Sequence, residues 1–157
     1  YNYTPYIKSK EILCNTINDN KDIYNKVVII HPFNFNSPHR KEGFLFSKIF
    51  KSIMEKKHIN VGDLNFLRDI VHPSHIVDNS INASKDMLIG SGELINIENF
   101  IRDLYILSNL KYDEYVVTLS NNNLNNKRKN YYSKIKYSNY NSLLKLTHED
   151  IRKNTIS

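Results

Sequence analysis

Val27-Val28-Ile29-Ile30-His31-Pro32-Phe33-Asn34 is the stretch on which the fold turns. The β-branched run from Val27 to Ile30 has no polar alternation, which is the pattern of a strand buried on both faces and predicts a parallel sheet. Upstream, residues 5–17 read as a helix: Pro5 suits the first turn, Thr4 can cap it, and Tyr6, Lys10, Leu13, Cys14 and Ile17 recur near helical spacing. The polar stretch from Asn18 to Asp22 ends it. Downstream, a loop from Phe33 to Arg40 leads into a helix over 44–55 with Phe46, Ile49, Phe50 and Ile53 on its inner face. A short strand at 59–61 runs into the polar turn Gly62-Asp63-Leu64-Asn65. Pro73 opens a helix to about residue 85, residues 87–89 read as a strand, and 97–107 as a helix. Strands and helices alternating at this interval predict an α/β architecture. Residues 120–130 are the strongly biased stretch, read as a loop; 142–146 read as a short helix, and the polar tail offers no obvious core contribution.

Composition bounds the function. At 157 residues, 40% apolar and 24% charged, the chain is long enough for one domain with a sizeable core. No apolar run approaches the roughly 20 residues that span a bilayer, so no membrane role is expected. Cys14 has no second thiol to pair with, which fits a reducing cytoplasm. The formal charge of +6 suits a phosphate-bearing partner, but Lys and Arg are scattered as well as gathered at Lys127, Arg128 and Lys129. No nucleic-acid motif accompanies them, and no nucleic-acid partner is expected. A chain opening on Tyr1 reads as a fragment or a processed product.

Tyr6-Ile7-Lys8-Ser9-Lys10 sets a phenol and an ammonium four residues apart, on one helix face. A nearby ammonium favours phenolate, the form that accepts a proton from an alcohol while hydride leaves its carbon. The same spacing also occurs on ordinary amphipathic helices. His72 and His75 lack the Cys or carboxylate partners of a metal site and read as packing residues, and Cys14 reads as packed on its helix face.

Pro5-Tyr6 followed by Ser9-Lys10, a helix, a buried strand and a Pro-Phe-Asn loop resembles the second half of the extended short-chain dehydrogenases. Within them the chain resembles the GDP-mannose 4,6-dehydratases. Residues 33–44, Phe-Asn-Phe-Asn-Ser-Pro-His-Arg-Lys-Glu-Gly-Phe, with Lys48 beyond, are similar to that family's Phe-Asn-His-Glu-Ser-Pro-Arg-Arg-Gly-Glu-Asn-Phe segment and its lysine. Gly62-Asp63-Leu64-Asn65 and Arg68-Asp69 with His72 are similar to Gly-Asn-Leu-Asp and Arg-Asp-Trp-Gly-His, and Ser91-Gly92-Glu93 to Thr-Gly-Glu. These blocks cover residues 5–101. His39, Ile70 and His75 depart from the pattern, standing where the family has arginine, tryptophan and aspartate.

The resemblance implies the C-terminal portion of a Rossmann-like doubly wound sheet, from residues 1–34 and 70–92, plus a small mixed α/β substrate domain from 35–69 and 93–157. The N-terminal coenzyme-binding half is absent. Tyr6 would be the general base and Lys10 its partner, both contacting the coenzyme with Arg40. Asn34, Lys48 and Arg68 would hold the nucleotide diphosphate, which suits an amide and two cations. Arg128 falls where the family has an arginine that contacts substrate phosphate, although Lys129-Asn130-Tyr131 replaces the motif after it. Read without the resemblance, Lys48 and Arg128 are solvated cations and Arg68 beside Asp69 a surface ion pair.

The implied activity is a cytoplasmic dehydratase acting on GDP-mannose or a related GDP-sugar with NADP, or NAD, through a 4-keto intermediate, and homo-oligomeric when complete. The Thr and Glu on which the family's elimination relies lie upstream of its tyrosine and are absent here, as is a Gly-x-x-Gly-x-x-Gly turn for the coenzyme pyrophosphate. The chain alone is therefore expected to be inactive, to bind no nicotinamide coenzyme tightly and to be poorly soluble. A nucleotide-sugar epimerase or reductase shares Tyr6 and Lys10, and a non-catalytic sugar-nucleotide-binding module stands as the other alternative.

Overall fold

Thr4 accepts a hydrogen bond from the Ile7 amide at 3.3 Å and Pro5 fills the first turn, which starts helix α1 (Pro5–Asp19). The computed structural model describes residues 4–37, 39–41, 43–119, 131–134 and 138–155. Helix α1 outlasts its predicted end because the Asn20 side chain donates to the Thr16 carbonyl at 2.8 Å, and no α1 residue is buried.

The β-branched run enters its sheet later than its composition predicts. Strand β1 is Ile30–Pro32, parallel to one described neighbour, β6 (Met87–Ile89), with Ile30 opposite Met87. Val27 is 45% exposed and the Ile29 amide is taken by the Asp86 carboxylate at 2.8 Å. Burial on both faces is thus corrected: Val27 is exposed, residues 28–30 are only half-buried and Leu88 opposite is 49% exposed, so no described layer covers both faces of this pair.

Three further pairs follow. Strand β2 (Asn34–Phe35) runs parallel to β5 (Ile70–Val71), and β3 (Ile59–Val61) parallel to β8 (Val116–Thr118). Strand β4 (Leu67–Arg68) is antiparallel to β7 (Ile95–Asn96). Helix α3 (Pro73–Ser80) stops short of residue 85, since Asn79 and Ser80 turn their side chains back onto the His75 and Ile76 carbonyls at 2.7 and 2.6 Å.

The core lies among α2 (Leu45–Glu55), α4 (Ile97–Leu107) and α6 (Tyr140–Thr155). Helix α2 buries Ile49, Phe50 and Ile53 as its periodicity predicts, while Phe46 is half-buried with its ring edge-on to Phe100 at 6.0 Å. Helix α4 adds Phe100, Ile101, Leu104 and Tyr105, and the short α5 (Tyr112–Tyr115) adds Tyr112.

Helix α6 corrects the reading of the tail. It is 16 residues long, and Leu143, Thr147 and Ile151, four apart on one face, are all buried. Thr147 accepts a hydrogen bond from the buried Asn36 at 2.6 Å, and the Tyr140 hydroxyl donates to the Asp103 carboxylate. Burial, reinforced by that carboxylate, holds the Tyr140 phenol far above the ordinary tyrosine range.

Candidate functional site

On α1 the side chains of Tyr6 and Lys10 share one face, with Lys10 Nζ 5.6 Å from the Tyr6 ring centroid. Both line an open cavity of about 670 Å³ with Leu13 and Cys14 of the same helix, His31 of β1, Asn34 and Arg40. Tyr6 is 69% exposed, so its hydroxyl is open to a ligand entering from that side. Lys8 does not line this cavity. Cys14, read from the sequence as packed on its helix face, is a half-buried wall residue, and His31 is a wall residue that the sequence did not single out, since it carries no motif.

A second cavity of about 260 Å³ adjoins the first and shares Asn34, Phe35 and Arg40 with it. Its other walls include Phe44, Phe46, Phe66 and Arg68. The Arg40 guanidinium carbon lies 4.7 Å from the Phe35 ring and 4.0 Å from the Phe44 ring, and Arg40 donates to the Phe35 carbonyl at 3.4 Å. Arg68 stacks on Phe66 at 5.0 Å and donates to the Leu67 carbonyl at 2.7 Å. Two guanidiniums pinned against aromatic faces, with the Asn34 amide in the same wall, suit oxyanions, and the phenylalanines suit a planar ring.

Asn34 is held by donating to the Asp69 carbonyl at 3.3 Å. Asp69 itself is fully buried, so the surface ion pair read for Arg68 and Asp69 is not what forms. Its carboxylate accepts from the Ser91 amide at 2.6 Å, the Ser91 hydroxyl at 2.7 Å, the Gly92 amide at 3.2 Å and the Ser133 amide at 2.8 Å. Gly92 meets it at a φ of 79°, a left-handed conformation that costs glycine little. Gly90 lets the carboxylate approach: a Cβ there would lie 2.5 Å from Asp69 Oδ2. The residues the sequence paired with Arg68 thus clamp β5 to the loop after β6 and fix the wall from which Arg68 and Asn34 reach out.

Lys48 is exposed on α2 and lines a separate cavity of about 480 Å³ with Lys51, Lys57 and His58. The structure therefore brings Tyr6, Lys10, Asn34, Arg40 and Arg68 into two adjoining cavities and leaves Lys48 outside both. Arg128 lies outside the described residues. His72 hydrogen-bonds Asp150 at 3.0 Å and caps α3, accepting from the Ser74 amide at 3.2 Å. Among the described residues no group of three or more His, Cys, Asp and Glu is placed to hold a metal ion. No helix among them is long and apolar enough to cross a membrane.

No protein-family model matches the chain. No curated protein matches it either. Solved structures do. RMD from Pseudomonas aeruginosa, complexed with NADPH, superposes with a TM-score of 0.71 at 18% identity, over 98% of this chain and 57% of that one. The dTDP-glucose 4,6-dehydratase of Bacillus anthracis, in complex with NAD, gives 0.72 at 15% identity, over 97% of this chain and 53% of its own. The UDP-glucose 4-epimerase of Thermotoga maritima, with UDP-glucose, gives 0.73 at 16%, over 98% and 55%. The chain therefore spans little more than half the length of these proteins. At such identities the likeness is one of fold: a mixed α/β chain with parallel strands that matches the C-terminal portion of a Rossmann-like fold.

Proposed function

We propose that this chain is the sugar-nucleotide-binding part of an NAD(P)-dependent sugar-nucleotide dehydratase or epimerase, with GDP-mannose or a related GDP-sugar as the substrate of first choice. The observation that carries the reading is the placement of Tyr6 and Lys10 on one helix face, in a cavity that shares Asn34, Phe35 and Arg40 with the cavity of Arg68. In this reading residues 1–34 and 70–92 complete a coenzyme-binding sheet, and 35–69 and 93–157 form the substrate domain. Almost the whole apolar core falls in the second set.

Tyr6 takes the proton of the sugar 4-hydroxyl, with Lys10 one turn along on the same face as its cationic partner. A bound nicotinamide supplies the hydride acceptor for the same carbon. Phenol, ammonium and guanidinium around the first cavity fit the nicotinamide-ribose end of such a coenzyme. No glycine-rich strand-turn-helix among the described residues fits its pyrophosphate. Arg40 and Arg68 hold the substrate diphosphate, and Asn34 orients it. Lys48 belongs to the proposal as an outer cation that meets substrate from beyond the two cavities, and Arg128 as a further contact to the substrate phosphate. The sugar ketone formed at Tyr6 serves water loss and epimerisation alike, and the groups that choose between them lie upstream in the dehydratase pattern.

The test supplies the coenzyme-binding half of a GDP-mannose dehydratase in trans and follows the 4-keto sugar product. Turnover with the wild-type chain, lost in Tyr6→Phe and in Lys10→Ala, is the expected result. Turnover that survives both substitutions overturns the catalytic reading. Titration of the chain alone separates substrate from coenzyme: GDP-mannose should bind and NADP should not, and tight NADP binding refutes the division of labour.

A further inference from the structure

Away from those cavities, the C-terminal ends of α2 and α4 meet one face of α6 around a fourth cavity of about 500 Å³. That volume lies within the range of small-molecule sites. Its floor is apolar, built from Ile53 and Met54 of α2, Leu110 after α4, and Ile151 of α6. Its rim carries Lys56, His148 and Arg152, and among the described residues no carboxylate lines it. His148 and Arg152 stand one helical turn apart, so both side chains face the same opening.

Among the described residues the rim cations are uncommitted. Neither Lys56 nor Arg152 is in an ion pair with a described residue, and the His148 ring makes no hydrogen bond among them. Elsewhere on the surface, by contrast, Arg102 is held by Glu98 and Asp113, and Lys111 by Glu114. The Lys56 backbone ends α2 in a left-handed conformation with φ 51°, its amide donating to the Ser52 carbonyl. Burial and the neighbouring Arg152 cation keep the His148 imidazole below its ordinary range, against the weaker opposite pull of Glu149. An arriving anion would relieve that repulsion.

We propose that this cavity binds an amphipathic anion: a carboxylate or phosphate monoester carried on an alkyl chain. The chain lies on Ile53, Met54 and Ile151, and the head sits between Lys56, His148 and Arg152. Neither half of such a ligand suffices, because the floor offers nothing to a bare anion and exposed cations alone hold one weakly. The site is independent of Tyr6 and Lys10, so it stands or falls apart from the proposed activity.

The experiment titrates the full chain, by calorimetry and by the His148 ring resonances, with decanoate and decyl phosphate below their micelle concentrations. Decanol, acetate and inorganic phosphate are the comparison probes. Saturable binding of at least one decyl anion is expected, with the comparison probes at least about ten-fold weaker. The His148 titration should move to higher pH when the anion is bound, and the ratio of decanoate to decyl phosphate affinity identifies the preferred head. The double variant Lys56→Gln/Arg152→Gln changes exposed side chains only, so it should keep its melting temperature and lose about ten-fold in affinity. Decanol binding as well as decanoate, unchanged affinity in the double variant, a silent His148, or no saturation with either anion overturns the proposal.

Discussion

Replacing Asp69 by alanine tests the clamp on which the candidate site rests. The carboxylate is fully buried and accepts from the Ser91, Gly92 and Ser133 amides and from the Ser91 hydroxyl. In Asp69→Ala the Ser91 hydroxyl keeps the Glu93 carbonyl at 3.1 Å, and the half-buried Gly92 amide can reach water. The buried Ser91 amide loses its acceptor and the buried Ser133 amide its bond to the carboxylate, at about 1–3 kcal/mol each, so the loss is about 2–6 kcal/mol. Against a domain stability of about 5–15 kcal/mol this is a large shift in the urea midpoint, read by far-ultraviolet circular dichroism. Asp69→Asn retains one carbonyl oxygen for Ser91 and sets its amide against the Gly92 and Ser133 donors, so it should cost about 1–3 kcal/mol, less than alanine. Gly90→Ala presses a methyl group to 2.5 Å from the same carboxylate and 2.9 Å from the Phe33 ring. Combined with Asp69→Ala it should therefore cost less than the sum of the two, by about 1 kcal/mol. An Asp69→Ala chain within about 0.5 kcal/mol of wild type, or strict additivity in the cycle, refutes the argument.

Leu143→Ala should cost about 2–5 kcal/mol in the same assay, because the side chain is fully buried where α6 meets the core. His75 and His148 are both held below the ordinary histidine range, first by burial and then by a neighbouring cation or imidazole. Each binds its proton more readily unfolded, so their contribution is fully present above about pH 6.5 and is lost as pH falls through the folded values; urea midpoints between neutral and mildly acidic pH measure it. Phe44→Ala removes one face of the Arg40 stack, worth about 0.5–1 kcal/mol at an exposed site. Calorimetry should show several-fold weaker GDP-mannose binding with an unchanged melting temperature.

What was legible in the sequence was whatever local spacing determines. Helix α2 shows its inner face at Ile49, Phe50 and Ile53, and α1 shows its start at Thr4 and Pro5. Helix α6 was legible only as a fragment, because Leu143, Thr147 and Ile151 are too sparse among polar neighbours to read as a face before the core they enter is known. The strand at residue 30 departs for the converse reason: β-branched composition reports what a segment can bury, and what packs on the two faces of the sheet decides what it does bury. At the site, Tyr6 and Lys10 follow from one helical turn, whereas the Asp69 clamp joins residues 69, 91 and 133 and no local period encodes it.

The two sets of residues in the proposed division differ in cohesion, and the candidate catalytic pair sits on the weaker one. The core helices α2, α4 and α6 bury apolar side chains against one another, each worth about 1.5–3 kcal/mol. Helix α1 buries none and leaves Ile7, Ile12 and Leu13 exposed at 46%, 55% and 54%. A 15-residue helix without tertiary burial is marginal in water, so the Tyr6–Lys10 geometry of the chain by itself is only as durable as α1. Amide exchange should accordingly be fast along α1 and slow along α4, and a coenzyme-binding half that covers Ile12 and Leu13 should slow α1 selectively. Protection of α1 equal to that of α4 in the chain alone would mean that the exposed face has no need of a partner, and the case for assembling the catalytic pair by docking would be lost.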